Sequence, residues 1–239
     1  MKYRYEFEIQ YQEVDMNRKL RLYTLENYLL NVAGRCADSL GFGVSYLSQQ
    51  NLTWVLTRLS LEMSRMPVNC EKVVFETWIE SNQHMLSTRD FRIYSGEELI
   101  GRAKSVWAVL DLTKREIVNC FDDPVFKGHV DGEVLEMVRI PRMLPITEPD
   151  GAVEHVIQYS DVDYNRHCNS CKYLEIMLDS RLPNFLDEPF RLDISYSKEV
   201  YLGDRLTTLF VEDEHSIHYA QKDVNSITCC AAKIIKAAL

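Results

Sequence analysis

Four polar residues in the second half of the chain have types that suit the attack of water on an acyl carbonyl such as a thioester, and three of them are closely spaced. Asp163, Asn165 and His167 alternate along one polar segment, and Glu199 follows further along the chain. Alternate side chains of an extended segment point the same way. A histidine or a carboxylate can take a proton from water, and an amide can donate a hydrogen bond to the oxyanion on an attacked carbonyl. The set therefore suits a site that activates water against an acyl carbonyl, such as that of a thioester.

An internal repeat helps to decide whether these residues have a catalytic or a structural role. Aspartate and asparagine before a helix usually cap it, so the local sequence alone favours a structural role. Residues 9–18, IQYQEVDMNR, and residues 157–166, IQYSDVDYNR, are identical at seven of ten positions. A second match, between residues 59–73 and 192–206, follows in the same order. Two copies of one unit are therefore predicted.

The two copies differ at two positions that carry chemistry. The first copy keeps the aspartate and the asparagine, as capping residues would require. Lys19, however, stands where the second copy has His167, and Met66 stands where it has Glu199. Because the fold tolerates lysine and methionine at these places, it requires neither His167 nor Glu199. We expect one catalytic copy and one copy adapted to another task.

The same order of elements is predicted for each copy. An alternating strand, a polar turn and a helix with apolar residues at helical spacing come first, and a run of strands follows. The predicted strands are 5–11, 53–63, 72–81, 87–94 and 99–111 in the first copy, and 154–159, 190–196, 206–212, 216–222 and 227–236 in the second. This order predicts an α+β fold, a tandem double hot dog in which antiparallel sheets wrap around long central helices.

Three segments are predicted along the chain. Residues 1–121 form an N-terminal hot-dog unit that lacks an intact catalytic set. Residues 122–150, rich in Asp, Gly and Pro, form a linker that crosses the surface. Residues 151–239 form the C-terminal, catalytic hot-dog unit.

Composition and charge exclude several classes of function. The chain has 239 residues and a formal net charge of −9, and it has no basic stripe. This argues against nucleic-acid binding, which needs a positive surface against phosphate. No apolar stretch suits a membrane span or a signal peptide, so we expect no membrane partner. The seven cysteines lack the spacing of a disulfide scaffold, which favours a reducing cytoplasm.

Three segments resemble the plant and bacterial acyl-acyl-carrier-protein (acyl-ACP) thioesterases. Residues 54–58, WVLTR, and residues 102–107, RAKSVW, are similar to stretches of that family's N-terminal half. Residues 160–169, SDVDYNRHCN, resemble its catalytic Asp-x-Asn-x-His-x-Asn element. The resemblance extends from residue 5 to about residue 236. It implies hydrolysis of fatty acyl-ACP, with release of free fatty acid and an end to chain elongation. It also implies acyl carrier protein as the acyl donor, no cofactor, and an acyl-binding role for the first unit.

The resemblance assigns catalytic roles to Asp163, Asn165, His167 and Glu199. It has two departures: Cys168 stands where the family usually has valine, and Val200 stands where many plant members have cysteine. In the mechanism that we expect, Asn165 and a backbone N–H at the start of the second helix polarise the carbonyl, and Asp163 orients Asn165 or His167. Glu199 and His167 activate the water.

Several alternatives stay open at this point. The sequence does not decide which group is the base, or whether a carboxylate attacks directly. A Cys168–His167 pair is disfavoured, because neighbours along a helix do not face each other. Acyl-coenzyme A is an alternative donor, and a non-catalytic acyl-binding protein is an alternative from another class. A monomer and a homodimer are both compatible with the predicted fold.

Overall fold

The computed structural model describes residues 1–137 and 140–237, which divide into two compact units. Unit 1 consists of Met1–Leu61 and Met66–Arg139, and unit 2 consists of Glu62–Arg65 and Ile140–Leu239. Residues 138 and 139 of the predicted linker, and residues 238 and 239 of the predicted C-terminal unit, lie outside the described residues.

Unit 1 is an antiparallel sheet with two helices. The strands are β1 (Tyr3–Glu8), β2 (Leu52–Met63), β3 (Lys72–Gln83), β4 (Leu86–Ser95), β5 (Glu98–Asp111) and β6 (Glu116–Val118). The last two residues of β2 belong to unit 2. The helices are α1 (Leu22–Ser39) and α2 (Val44–Ser48). The strand order is β1-β3-β4-β5-β2, and β6 pairs with β5.

Unit 2 repeats this plan with one helix. The strands are β7 (Gly151–Val156), β8 (Phe190–Tyr196), β9 (Arg205–Glu212), β10 (Ser216–Lys222) and β11 (Thr228–Lys236), and the helix is α3 (Ser170–Ser180). The strand order β7-β9-β10-β11-β8 corresponds to that of unit 1 position by position. The repeat in the sequence is therefore also a repeat of topology.

Helix α1 and helix α3 differ in length, although they occupy the same place in the two units. Helix α1 has 18 residues and buries an apolar face at helical spacing, whereas α3 has 11 residues. Helix α3 ends where Arg181 adopts extended backbone angles, and Pro183 follows. Proline disfavours helical geometry in the residue before it and lacks an N–H for a further turn. No helix among the described residues has the length and hydropathy of a membrane-spanning segment.

The first strand of each unit ends earlier than the sequence predicted. A short 3-10 helix begins at Tyr11 in unit 1 and at Tyr159 in unit 2. The Gln158 N–H donates to the Asp161 carboxylate, 2.8 Å away. This capping contact competes with strand geometry. The other predicted strands agree with the structure to within about two residues, the usual uncertainty of such boundaries.

Part of the predicted linker packs within unit 1. Phe126 and Leu135 are buried, at 3% and 4% exposure. The Trp78 indole N–H donates to the Glu133 carbonyl at 2.8 Å, and the Asp131 N–H donates to the Ile79 carbonyl at 2.8 Å. The apolar residues are interspersed with Asp, Gly and Pro, so composition alone does not reveal this packing.

The segment that contains Leu135 also covers a buried carboxyl group. Asp90 is fully buried, and the Lys104 ammonium lies 3.1 Å from its Oδ1 while also pairing with Glu80. The Leu135 N–H donates to Asp90 Oδ2 at 3.0 Å. Burial raises the pKa of Asp90 from its ordinary 3.8 to about 7, a hydrogen bond with Glu80 adds to the shift, and Lys104 and Leu135 oppose it.

Asp90 is therefore expected to make stability depend on pH. The contribution of its neutral form is complete below pH 3.8 and is lost as the pH rises through about 7. Relative to Asp90→Asn, the wild type should lose about 1–4 kcal/mol of unfolding free energy over this window, since each pKa unit corresponds to about 1.4 kcal/mol. Urea unfolding of both proteins across the window measures the difference, with Asp122→Asn on the surface as the control. A constant difference across the window would contradict the expectation.

Candidate active site

The segment that contains three of the predicted site residues folds into a tight hairpin loop. Val162 and Cys168 form an antiparallel bridge. Inside it, the Asp163 N–H donates to the His167 carbonyl at 3.1 Å, and the Asn165 N–H donates to Asp163 Oδ1 at 2.8 Å. The turn requires a left-handed residue, Arg166, with φ of 68°. These bonds fix the backbone on both sides of the His167 side chain.

A second segment, residues 199–201, lies against this loop. His167 forms a bridge with Tyr201, and the Cys168 N–H donates to the Val200 carbonyl at 2.7 Å. The backbone just before the segment is also held, because the Tyr173 hydroxyl donates to the Lys198 carbonyl at 3.2 Å. Glu199 is thereby placed beside His167, although the two residues are far apart in sequence.

The His167 ring lies between two carboxylates. Its Nε2 is 3.6 Å from Glu199 Oε1, and its Nδ1 is 4.0 Å from Asp163 Oδ1. The side chains of His167, Glu199 and Asp163 are 23%, 22% and 18% exposed, so solvent and a substrate can reach them. Both distances exceed a hydrogen bond, as is common for catalytic groups without substrate. The arrangement can take a proton from water and stabilise the imidazolium that results.

Asn165 takes a different position from the other three predicted site residues. It is exposed at the tip of the hairpin, and its side chain makes no hydrogen bond to any described residue. The structure thus brings His167, Glu199 and Asp163 together and leaves the Asn165 amide open to solvent. An amide with unused donors can still bind a carbonyl oxygen that arrives with a substrate.

The start of α3 is already capped by a side chain. Asn169 Oδ1 accepts the Cys171 N–H at 3.0 Å, and the Asn169 N–H donates to the Asp161 carbonyl at 2.8 Å. Asp161 in turn lies 2.8 Å from the His155 ring. One of the backbone donors that the sequence suggested for the substrate carbonyl is therefore engaged within the protein.

Cys168 is buried and lacks the properties of a nucleophile. The side chain is 3% exposed, and burial raises the pKa of the thiol to about 12, with smaller contributions from the charges of Asp161 and Asp163. The reactive thiolate is therefore scarce at neutral pH. All seven cysteines are free thiols. In the part of the chain that the structure describes, no group of His, Cys, Asp or Glu side chains is placed to hold a metal ion.

Unit 1 has the same backbone contacts at the equivalent place, but its side chains there are different. The Asp15 N–H donates to the Lys19 carbonyl at 2.8 Å, Lys19 forms a bridge with Val68, and the Leu20 N–H donates to the Pro67 carbonyl at 2.8 Å. These contacts are equivalent to those of the hairpin loop in unit 2.

The equivalent bridges align the two units at the site. The bridge of Lys19 with Val68 in unit 1 corresponds to that of His167 with Tyr201 in unit 2. Counting back two residues from Tyr201 and from Val68 places Met66 at the position of Glu199. Tyr201 is the residue that sequence reasoning did not single out; its hydroxyl donates to Glu199 Oε2 at 2.9 Å. Its spacing of two from Glu199 on an extended segment was the available signal.

The two repeated antiparallel units and the site with a histidine between carboxylates define a class of protein. Comparison of this chain with known families identifies that class. The chain belongs to the acyl-ACP thioesterase family: the family model "Acyl-ACP thioesterase N-terminal domain" matches residues 1–127, and "Acyl-ACP thioesterase C-terminal domain" matches residues 148–236. The four predicted site residues lie within the region that the C-terminal model matches.

Solved structures of this family share the fold over nearly the whole chain. An acyl-ACP thioesterase from Bacteroides thetaiotaomicron is 32% identical, with a TM-score of 0.87 over 98% of this chain and 97% of that one. The 12:0-ACP thioesterase from Umbellularia californica is 21% identical, with a TM-score of 0.82 over 98% of this chain and 96% of that one. The second likeness concerns the fold alone.

Plant relatives are longer than this chain. The chloroplastic oleoyl-acyl carrier protein thioesterase of Coriandrum sativum is 26% identical over 91% of this chain. The match covers 65% of that relative, and a match to the chloroplastic palmitoyl-acyl carrier protein thioesterase of Gossypium hirsutum covers 51%. The chain therefore spans about half to two thirds of the length of these curated relatives.

Proposed function

We propose that the protein hydrolyses the thioester of fatty acyl-acyl carrier protein, releases free fatty acid and so ends chain elongation. The observation that carries the proposal is the His167 ring between the carboxylates of Glu199 and Asp163. Membership of the acyl-ACP thioesterase family supports the substrate class. The reaction consumes only water and the thioester, so the proposal includes no cofactor.

The proposed chemistry uses His167 and Glu199 as one proton-accepting pair. The oxygen of a water molecule adds to the thioester carbonyl carbon while one of its protons passes to the pair. The tetrahedral intermediate then collapses, the carbon–sulfur bond breaks, and His167 returns the proton to the departing sulfur. The products are the fatty acid and the thiol of the carrier. No covalent bond forms between the protein and the acyl group.

Asn165 and Asp163 have supporting roles in the proposal. The Asn165 amide donates to the carbonyl oxygen as negative charge develops on it; removal of one such donor typically costs about 10²–10³-fold in kcat. Asp163 holds the loop through the Asn165 N–H, and its carboxylate faces His167 Nδ1. It therefore orients the ring and stabilises its positive charge.

The division of labour between the two units is also proposed. Unit 2 carries out the chemistry, because unit 1 has Lys19 and Met66 on the equivalent framework. Unit 1 binds the acyl chain, the part of residues 122–150 that does not pack within unit 1 connects the units, and each unit is a hot-dog unit around its helix. Helix α1, with eight buried residues, fits a central position. The seven free thiols support a reducing compartment such as the cytoplasm.

Acyl carrier protein is the proposed partner, and its docking must depend on a local basic patch. This chain has a formal net charge of −9, and carrier proteins are acidic, so total charge does not attract the two proteins. Oligomeric state does not enter the proposed reaction, because the catalytic residues come from one unit of one chain.

The test is thiol release from a panel of acyl-acyl carrier proteins and the matching acyl-coenzyme A esters. We expect the wild type to prefer the carrier-protein substrates and His167→Ala to lose about 10²–10⁴-fold in kcat/KM. His215→Ala, on an exposed turn, is the matched control. A preference for coenzyme A esters would show that acyl-coenzyme A, and not acyl-acyl carrier protein, is the acyl donor. Absence of hydrolysis on both series would refute catalysis and favour a non-catalytic acyl-binding protein.

A further inference from the structure

We propose that Tyr201 is a positioning residue of this site, which orients Glu199 so that one carboxylate oxygen faces His167. The inference rests on the proposed thioesterase function. It assigns a role to a residue that lies outside the Asp-x-Asn-x-His element.

The two oxygens of the Glu199 carboxylate have different partners. Oε2 accepts the Tyr201 hydroxyl at 2.9 Å, whereas Oε1 faces His167 Nε2 at 3.6 Å. The last torsion of a glutamate is broad and weakly restricted. A donor on one oxygen narrows that rotation, so the other oxygen stays directed at the imidazole.

The backbone places the phenol independently of Glu199. Tyr201 forms the bridge with His167, and its N–H donates to Asp204 Oδ2 at 2.9 Å. Tyr201 and Glu199 are two residues apart on an extended segment, which puts their side chains on the same side. The segment that carries the donor is thus the one that is bound to the catalytic histidine.

The repeat shows that this backbone does not need the phenol. Unit 1 has the same bridge and the same turn, with Val68 at the position of Tyr201. An equivalent acidic contact is also kept there, since the Val68 N–H donates to Glu71 Oε2 at 2.7 Å. Tyr201 is 46% exposed, so it is not a core residue. The tyrosine and the glutamate therefore occur together in the unit that has the histidine, and neither occurs in the other.

The test is the kinetics of Tyr201→Phe, which removes the hydroxyl and keeps the ring. We expect kcat to fall about tenfold, as for loss of one hydrogen bond to a charged group. KM and the melting temperature should stay unchanged, because the residue acts through Glu199 and not on the acyl chain. Tyr159→Phe, which is 90% exposed, is the matched control and should equal the wild type. Tyr201→Val, which installs the residue of unit 1, should fold and show the same loss.

A double-mutant cycle separates positioning from a structural role. In a Glu199→Gln background, Tyr201→Phe should cause no further loss of kcat, because the carboxylate that it orients is gone. An unchanged kcat in the single variant, or an equal loss in both backgrounds, would overturn the inference while thioesterase activity of the wild type stands. A wild type without thioesterase activity would overturn the proposed function and this inference together.

Discussion

Replacing Glu199 by glutamine is expected to lower kcat/KM for thioester hydrolysis by about 10²–10⁴-fold, the usual contribution of a positioned proton acceptor. Glutamine has the same shape and can still accept the Tyr201 hydroxyl, but it cannot take a proton or balance the charge on His167. Because the shape and the Tyr201 contact are kept, we expect the unfolding free energy to change by only about 1 kcal/mol or less. Steady-state kinetics and urea unfolding measure the two quantities.

Glu214→Gln provides the matched control for this substitution. Glu214 is exposed on the turn between β9 and β10, and the change removes the same charge from the same unit. We expect it to retain wild-type kcat/KM. If Glu199→Gln retained activity as well, Glu199 would have no role in proton transfer, and His167 would have to act with Asp163 alone.

The largest stability effect in unit 1 is expected for Trp78→Ala, at about 3–5 kcal/mol of unfolding free energy. Trp78 is fully buried on β3. Two cations lie over its ring, with Lys2 Nζ at 4.8 Å and Arg92 Cζ at 4.9 Å from the ring centroid. Its N–H donates to the Glu133 carbonyl. Truncation removes the buried ring, both cation–π contacts and the bond that holds residues near 133.

Trp78→Phe separates the contribution of the hydrogen bond from that of a buried aromatic ring. It keeps an aromatic ring in place but loses the N–H, so we expect a smaller loss of about 1–3 kcal/mol, which includes the carbonyl left without its partner. Met85→Ala, at a half-exposed position after β3, controls for a general weakening of this region. Urea unfolding of the three variants gives the comparison. Equal stabilities for Trp78→Ala and the control would show that the buried ring does not stabilise unit 1.

Local patterns in the sequence predicted most of the strands, but not the short strand β6 or the short helix α2. Strand assignments followed period-two alternation and were accurate to about two residues, because the period states which face of a strand is buried. Errors occurred where a capping contact competed with the pattern, as at Gln158 and Asp161. The internal repeat added the prediction that one unit occurs twice, because two matching stretches follow each other in the same order.

The sequence also selected His167 and Glu199 as the residues that one copy has and the other lacks. The first copy lacks both residues, so the shared backbone does not require them. The sequence therefore determined that a histidine and a carboxylate are available for chemistry in the second copy. It determined the lack of a reactive thiol at Val200 as well. The catalytic roles themselves stay predictions until the variants are measured.

Only the tertiary structure determined which of these groups lie close together in space. Glu199 reaches His167 because the segment 199–201 bridges to the hairpin loop, and the Tyr201 hydroxyl binds the far oxygen of the carboxylate. The hydrogen bond from the Leu135 N–H to the Asp90 carboxylate likewise joins segments that are far apart in sequence. Periodicity reports which side of an element is buried, but it carries no information about which distant segment covers that side. That choice is made when the strands pair, by long-range contacts that no local pattern records.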